Sequence, residues 1–268
     1  MNSQNQPRTD GPLLLKVVSS ENNQDQLQRV VLTGTGLERL NGYSAGAHIK
    51  LFFKRPKQNE LSLPQKTEKG ITWPPAEKKP FARTYSIRSY DPKRNELTVD
   101  FVIHEPAGVA AEWAMNAKAG DVVGFAGPGP KSLFLSGMDH YLLVGDLSSL
   151  PAIQSILDQL PSNANIDVIF ESSFAVLPKL DESSSKARWH KVDQTFDPSN
   201  HILPAVKAMY KADRSTSVMV AGEHATVVGL RDWFRHQVAP QYLYAVPYWK
   251  HTEDEETYHA QRHQVMDG

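Results

Sequence analysis

The sequence predicts a β + α/β fold class: an antiparallel β-barrel followed by an α/β domain. Three observations carry this prediction. The first half holds short β-rich runs bounded by Gly, Pro, Asn or Asp, with almost no helix between them, which is the texture of a barrel. From about Phe134 onward strand-like and helix-like segments alternate, the texture of a parallel sheet with covering helices. The chain has 268 residues and 40% hydrophobic side chains, enough to bury two cores.

In order, the barrel strands are expected at Leu13–Ser19, Leu27–Thr33, Ala47–Phe53, Arg83–Arg88, Glu96–His104 and Asp121–Ala126. Glu96–His104 is the clearest, because Leu97, Val99, Phe101 and Ile103 alternate with more polar neighbours at a period of two. A helix is expected at Val109–Ala117. The Pro/Lys-rich stretch between Arg55 and Ala82 shows no periodicity and reads as a long loop. In the second half, strands are expected at Tyr141–Gly145, Ile166–Glu171 and Ser217–Ala221. Helices are expected at Leu150–Leu160, with Pro151 in its first turn, at His201–Tyr210 and at Ala225–Val238. Thr252–Met266 reads as a polar, helix-capable tail.

Composition excludes several chemistries. With no cysteine there can be no disulfide, thiolate zinc site, Cys₄ cluster or Cys nucleophile. Among ten histidines only His259 and His263 share helical i, i+4 spacing, and no third ligand stands nearby, so no metal site is expected. There is no Gly-x-Ser-x-Gly elbow for hydrolase chemistry. A net charge of −1 gives no reason to expect nucleic acid. The polar N-terminus lacks an apolar signal region and no apolar run is long enough to span a bilayer, so a soluble cytoplasmic protein with no membrane partner is expected. Charge is nevertheless uneven: from Lys50 to Arg94 twelve Lys or Arg stand against four acids. Taken alone that is a solvated basic loop; with a ligand it is a way to attract an anion to one region.

Four segments carry candidate chemistry. Arg83-Thr84-Tyr85-Ser86 follows the basic loop on a strand, with Arg83 and Tyr85 on one face and Thr84 and Ser86 on the other. That set supplies what flavin binding needs: a fixed cation, an aromatic ring and small hydroxyls. Phe101 to Ala114 runs from a strand end, through His104 and Gly108, into a helix whose first N–H groups and dipole suit a diphosphate. His104 is equally a strand-edge histidine, and Trp113 reads better as core packing. Gly127-Pro128-Gly129-Pro130-Lys131 is a rigid turn that presents a lysine and does not have P-loop spacing. Gly145-Asp146-Leu147-Ser148-Ser149 is a strand–turn–helix without the Gly-x-Gly-x-x-Gly of dinucleotide folds, its serines reading as helix-capping hydroxyls.

These blocks, with Ala221-Gly222-Glu223, Leu230-Arg231 and Tyr248-Trp249-Lys250, occur in an order and spacing that resembles the siderophore-interacting proteins. These are FAD-containing ferric-siderophore reductases related to ferredoxin–NADP reductases, and the resemblance runs from about Val17 to Lys250. It implies a six-stranded FAD-binding barrel over 12–133, a nicotinamide-binding-like α/β domain over 134–250 and a helical tail over 251–268. The implied cofactor contacts are Arg83, Thr84, Tyr85, Ser86, Phe101, Val102, His104, Gly108, Ala110, Ala111, Trp113, Asp146, Ser148, Ser149 and Trp249. Ala111 stands where relatives usually carry serine, so its contact would be through backbone alone. A basic triad for the anionic ferric siderophore falls on Lys50, Lys131 and Lys250, with Lys54 an alternative to Lys50. All are lysines, hence point charges without bidentate geometry.

The implied activity is reduction of siderophore-bound Fe(III), with NADH, NADPH or ferredoxin as electron donor and no catalytic side chain. A monomer is expected. The alternative is a general NAD(P)H:flavin or ferredoxin oxidoreductase that handles no siderophore.

Overall fold

The structure is a computed structural model that describes residues 11–23, 26–173, 177, 180–195, 201–251, 253 and 258. The chain divides into two compact units, Met1–Lys131 and Ser132–Gly268.

The first unit contains β1 (Leu13–Asn22), β2 (Leu27–Thr33), β3 (His48–Phe53), β4 (Gln65–Thr67), β5 (Gly70–Thr72), β6 (Phe81–Ser86), β7 (Ser89–Asp91), β8 (Glu96–Val102), α1 (Val109–Asn116) and β9 (Val122–Ala126). Seven of these strands form one sheet in the order β6-β3-β9-β1-β2-β8-β7, antiparallel throughout. Its two edge strands, β6 and β7, are consecutive in sequence and separated only by Ile87 and Arg88. Ile87 N–H donates to Ala47 C=O (3.0 Å), beside β3, and Arg88 N–H donates to Thr98 C=O (3.1 Å) on β8. The chain therefore changes partner in two residues and closes the sheet on itself. The sheet has one strand more than the six expected: β7, three residues that follow this partner switch and lie past the expected strand end at Arg88.

Alternation fills the interior: Leu15, Val17, Val30, Leu32, Ile49, Leu51, Leu97, Val99, Phe101, Val123 and Phe125 are buried in one cluster. Each such side chain contributes about 1.5–3 kcal/mol by leaving water. Ala110 and Ala114, with short side chains, let α1 pack closely on the same cluster. On the outside, Arg29 forms a two-pronged pair with Asp100 (2.7 and 2.8 Å), tying β2 to β8. The segment expected to be one structureless loop contains the β4–β5 hairpin and a 3-10 turn at Ala76–Lys78. Arms of three residues are too short to show a period.

The second unit contains β10 (His140–Gly145), α2 (Leu150–Gln159), β11 (Ile166–Ser172), β12 (Arg188–Asp193), α3 (Leu203–Met209), β13 (Thr216–Glu223), α4 (His224–Phe234) and β14 (Leu243–Trp249). Its five strands are all parallel, in the order β12-β11-β10-β13-β14. The chain runs outward from β10 to β12, then returns to the other side of β10. The order therefore reverses between β10 and β13, and in open α/β sheets ligands bind at the carboxyl ends of strands at such a point. Two strands beyond the sequence expectation, β12 and β14, are the sheet's edges. The tail over 251–268 lies almost wholly outside the described residues; His251, Glu253 and Tyr258 are described.

Candidate functional site

The first candidate region grows from β6. Its register with β3 pairs Leu51 with Arg83 and Ile49 with Tyr85, which places Arg83 and Tyr85 on the face of the barrel core. Thr84 pairs with Lys50 and Ser86 with His48 on the opposite face, as the alternation predicts. The Tyr85 ring lies 4.4 Å from Phe101 on β8, and Phe101 lies 5.9 Å from Trp113 on α1. Trp113 in turn meets Phe53 edge-on at 5.2 Å. Phe101 has no exposure, so it acts by backing the half-buried Tyr85. Trp113 is the core-packing residue that its sequence context suggests. Arg83 donates from Nη1 to Ala82 C=O (3.0 Å) and lies 5.6 Å from the Phe81 ring.

Helix α1 begins at Gly108, whose N-cap position carries no side-chain hydrogen bond. Glu112 N–H is bonded back to Gly108 C=O (2.9 Å). The N–H groups of the first turn, at Val109, Ala110 and Ala111, have no carbonyl within the helix to reach. Val102 ends β8 half-buried, and exposed His104 stands beside Gly108, with its Nε2 3.8 Å from where a Cβ on Gly108 would lie. Tyr85, Phe101 and Trp113 thus link the Arg-Thr-Tyr-Ser strand to this open helix start. A cation and an aromatic ring on one strand face, joined through packed rings to uncapped N–H groups, fit the diphosphate and ring system of FAD.

The second candidate region lies in the other unit, at the carboxyl ends of β10, β13 and β14. Asp146 is buried there. Its Oδ1 accepts from Ser148 N–H (2.9 Å) and the Ser148 hydroxyl (2.5 Å). Its Oδ2 accepts from Glu223 N–H (2.9 Å) and Trp249 Nε1–H (2.8 Å). Burial pushes this carboxyl above its ordinary value, against the pull of those donors. Two glycines make room. A Cβ on Gly222, whose φ is +147°, would lie 2.6 Å from Asp146 Oδ2, and one on Gly145 would collide with Ser149 Oγ. Ser149 occupies the N-cap of α2 yet makes no capping bond. Its hydroxyl instead accepts from Asp146 N–H (3.0 Å) and donates to Asp146 C=O (2.9 Å), so the capping expectation fails because the tight turn claims that oxygen first.

Three neighbours complete this end: Glu223, which lies in the Ala221-Gly222-Glu223 block, and Glu171 and His201, which escaped the sequence reading. Glu223 caps α4 by accepting from Ala225 and Thr226 N–H, and takes His251 N–H at 3.2 Å. Glu171, the penultimate residue of β11, accepts from the Thr226 hydroxyl (3.3 Å). His201 Nε2 lies 2.9 Å from Glu171 Oε1, within ion-pair distance though not aligned as a hydrogen bond. Burial, then the charges of Asp146 and Glu223, push Glu171 up to about 7. The signal that marks both glutamates is an acid directly after the apolar run of a parallel strand.

Of the three lysines, Lys50 is half-buried on β3 and Lys131 is exposed beyond the Gly-Pro turn. Gly129 N–H donates to His48 C=O (2.8 Å), and the His48 ring fills the space a Cβ on Gly129 would need. Lys50 and Lys131 each follow that contact by two residues. Lys250 belongs to the second unit, where it pairs with Glu253. The alternative, Lys54, is exposed just past β3.

Comparison with known proteins covers both units. Residues 16–132 match the siderophore-interacting FAD-binding domain, and residues 138–252 match the siderophore-interacting protein family. The chain is 34% identical over 270 residues to the ferric vibriobactin reductase ViuB of Vibrio cholerae, covering 96% of each. It is 38% identical over 133 residues to the NADPH-dependent ferric-chelate reductase of Escherichia coli, covering 50% of this chain and 51% of that protein. The crystal structure of the siderophore-interacting protein SipS from Aeromonas hydrophila superposes with a TM-score of 0.79 at 29% identity, covering 97% of this chain and all of that one. A ferredoxin-NADP+ reductase from Plasmodium falciparum, at 16% identity and a TM-score of 0.60, shares the fold.

Proposed function

This chain belongs to the siderophore-interacting protein family, and on that premise we propose that it is a flavin-dependent ferric-siderophore reductase of the cytoplasm. The observation that carries the reading is the packed series Tyr85–Phe101–Trp113, which joins the Arg83–Ser86 strand to the uncapped start of α1. FAD, when bound, supplies the electron transfer that takes siderophore-bound Fe(III) to Fe(II).

The protein's part is to bind and orient. Tyr85, held from behind by Phe101, offers a ring face for the isoalloxazine, and Arg83 on the same strand face offers a cation for the diphosphate. The N–H groups of Val109, Ala110 and Ala111 add the positive end of α1. Thr84 and Ser86 bring hydroxyls on the other face of β6. No side chain has to move a proton or attack a bond. Lys50 and Lys131, each two residues past the His48–Gly129 contact, offer point charges to the anionic ferric chelate, and iron leaves because hard-oxygen siderophores bind Fe(II) far more weakly. The resemblance to an NADPH-dependent ferric-chelate reductase supports a nicotinamide donor, and ferredoxin is the second donor class to assay.

Lys131→Glu tests the assignment, since Lys131 is exposed and its replacement leaves the core intact. We expect the purified protein to be yellow, and the variant to retain its flavin spectrum. Its kcat/KM for an anionic ferric siderophore, followed by trapping Fe(II), should fall about tenfold, mainly through KM. Reduction of a small neutral acceptor should not change. An equal loss for both acceptors would point to the general oxidoreductase, and a colourless protein that takes up no FAD would remove the reading altogether.

A further inference from the structure

A second surface of the first unit lies away from the Arg83–Ser86 strand face and the start of α1 that the proposed function uses. Large hydrophobic side chains stand exposed at Leu14 (50%), Val18, Ile71 (55%), Trp73 (40%) and Val122. Leu14 and Val18 lie on the outward face of β1, and Val122 lies opposite Lys16 on β9. The β4–β5 segment is laid against this face. Leu63 packs where Gly124, directly opposite Leu14, has no side chain; a Cβ there would collide with Leu63 Cδ2. Trp73 meets Phe52 edge-on at 6.0 Å, and Lys79 Nζ sits 5.0 Å above the indole. Every residue of β4 and β5 is exposed, and Lys66 and Ile71, directly paired, share one face of the hairpin.

The charge around these side chains selects the partner. Residues 54–79 contain six lysines and one arginine against three glutamates. The arginine, Arg55, is already engaged: it lies 4.0 Å over the Phe81 ring and donates to Lys79 C=O (2.7 Å). Protein interfaces deplete lysine and enrich arginine. An anionic bilayer rewards each surface ammonium and accommodates Trp at headgroup level. An exposed Ile71 paired with Lys66 on a short hairpin, followed by Trp73 under Lys79, fits the second description.

We propose that this face docks on the surface of an anionic lipid bilayer, with Ile71 and Trp73 among the headgroups and the lysines over the phosphates. Such docking needs no spanning helix. The sequence expectation of no membrane partner rests on the lack of a spanning run and does not reach this case.

The test is flotation of the full chain with vesicles of phosphatidylcholine alone, or with about one third phosphatidylglycerol. We expect at least about tenfold more binding to the anionic vesicles, largely lost at about 0.5 M salt. Ile71→Asp, at a solvent-exposed position, should lower binding about tenfold with unchanged circular dichroism. Lys69→Gln should lower it about fivefold. Equal recovery on both vesicles, no recovery on either, or Ile71→Asp binding like the parent would overturn the proposal. A protein that ignores both vesicles yet is held by immobilised polyglutamate, in a salt-sensitive way, would overturn it in favour of an acidic protein partner.

Discussion

The two ends of the parallel sheet treat the same chemical group in opposite ways. At the amino end, Asp167 near the start of β11 meets three cationic or cation-forming side chains. Arg188 donates from Nε (2.9 Å) and Nη2 (2.7 Å), and the Nε2 atoms of His140 and His190 each lie 2.9 Å from a carboxylate oxygen. Burial pushes Asp167 up, but hydrogen bonds from Arg188, His190 and His140 outweigh it and hold the carboxyl down at about 2. At the carboxyl end, Asp146 has as many partners, yet they are a serine, an indole and backbone N–H groups. Neutral donors satisfy its geometry without cancelling its charge, so burial wins and the pKa rises. The difference marks one end as a clamp and the other as the end whose buried carboxyls are pushed toward the neutral form, where ligands of open α/β sheets bind.

The largest effect that could break this comparison is at the clamp. Asp167→Ala strands a His140 that is 1% exposed and removes the partner of Arg188, and should cost about 3 kcal/mol in urea unfolding at neutral pH. A cost below about 1 kcal/mol would show that the amino-end cluster is ornamental. The same carboxyl has an acid signature. Its folded pKa is depressed, so its contribution is present above about pH 4 and is lost as pH falls through about 2. That limb is worth about 2 kcal/mol and should be flattened in Asp167→Asn.

A smaller effect sharpens the other side. Trp249→Phe removes one of Asp146's four donors and keeps a smaller aromatic ring in its place. It should cost about 1–2 kcal/mol, because a buried carboxyl oxygen loses a donor that no other group replaces. In Asp146→Asn the same Trp249 change should cost less, and a double-mutant cycle reads the difference. Equal costs in both backgrounds would mean that the indole acts by packing alone.

How much of this was legible in the sequence follows from which faces are buried. Leu27–Thr33 forms the strand that its pattern announces, and Leu150–Gln159 forms the helix to within one residue, because both present a regular apolar face to a core. β12 reads Arg-Trp-His-Lys-Val-Asp, an edge strand whose charges satisfy solvent and Asp167 together, so no apolar pattern remains to be read. β14 was hidden by Pro247, which an edge strand tolerates and which sits opposite the bulge at Gly222. Within the sites, local motifs were legible and pairings across the chain were not. Asp146 could be named from its turn, but Glu223 and Trp249 reach it over 77 and 103 residues of sequence. Glu171 became visible only once β11 was placed beside β10.

The smallest expected effect is the one that most directly separates the two ends, because its sign is opposite to that of Asp167. Glu171 has a folded pKa near 7 against an ordinary 4.5, so the unfolded chain ionises first as pH rises. Between those values the folded state holds the extra proton, and the group's contribution to stability falls with rising pH. A glutamine at this position carries no such cost. Glu171→Gln should therefore match the parent near about pH 4 and exceed it at about pH 8 by on the order of 1 kcal/mol, with the gap opening between about pH 5 and 7. A gap that is constant with pH would mean that Glu171 is ionised throughout, beside the His201 Nε2 atom 2.9 Å away. The carboxyl end would then be a clamp like the amino end, and the contrast between them would disappear.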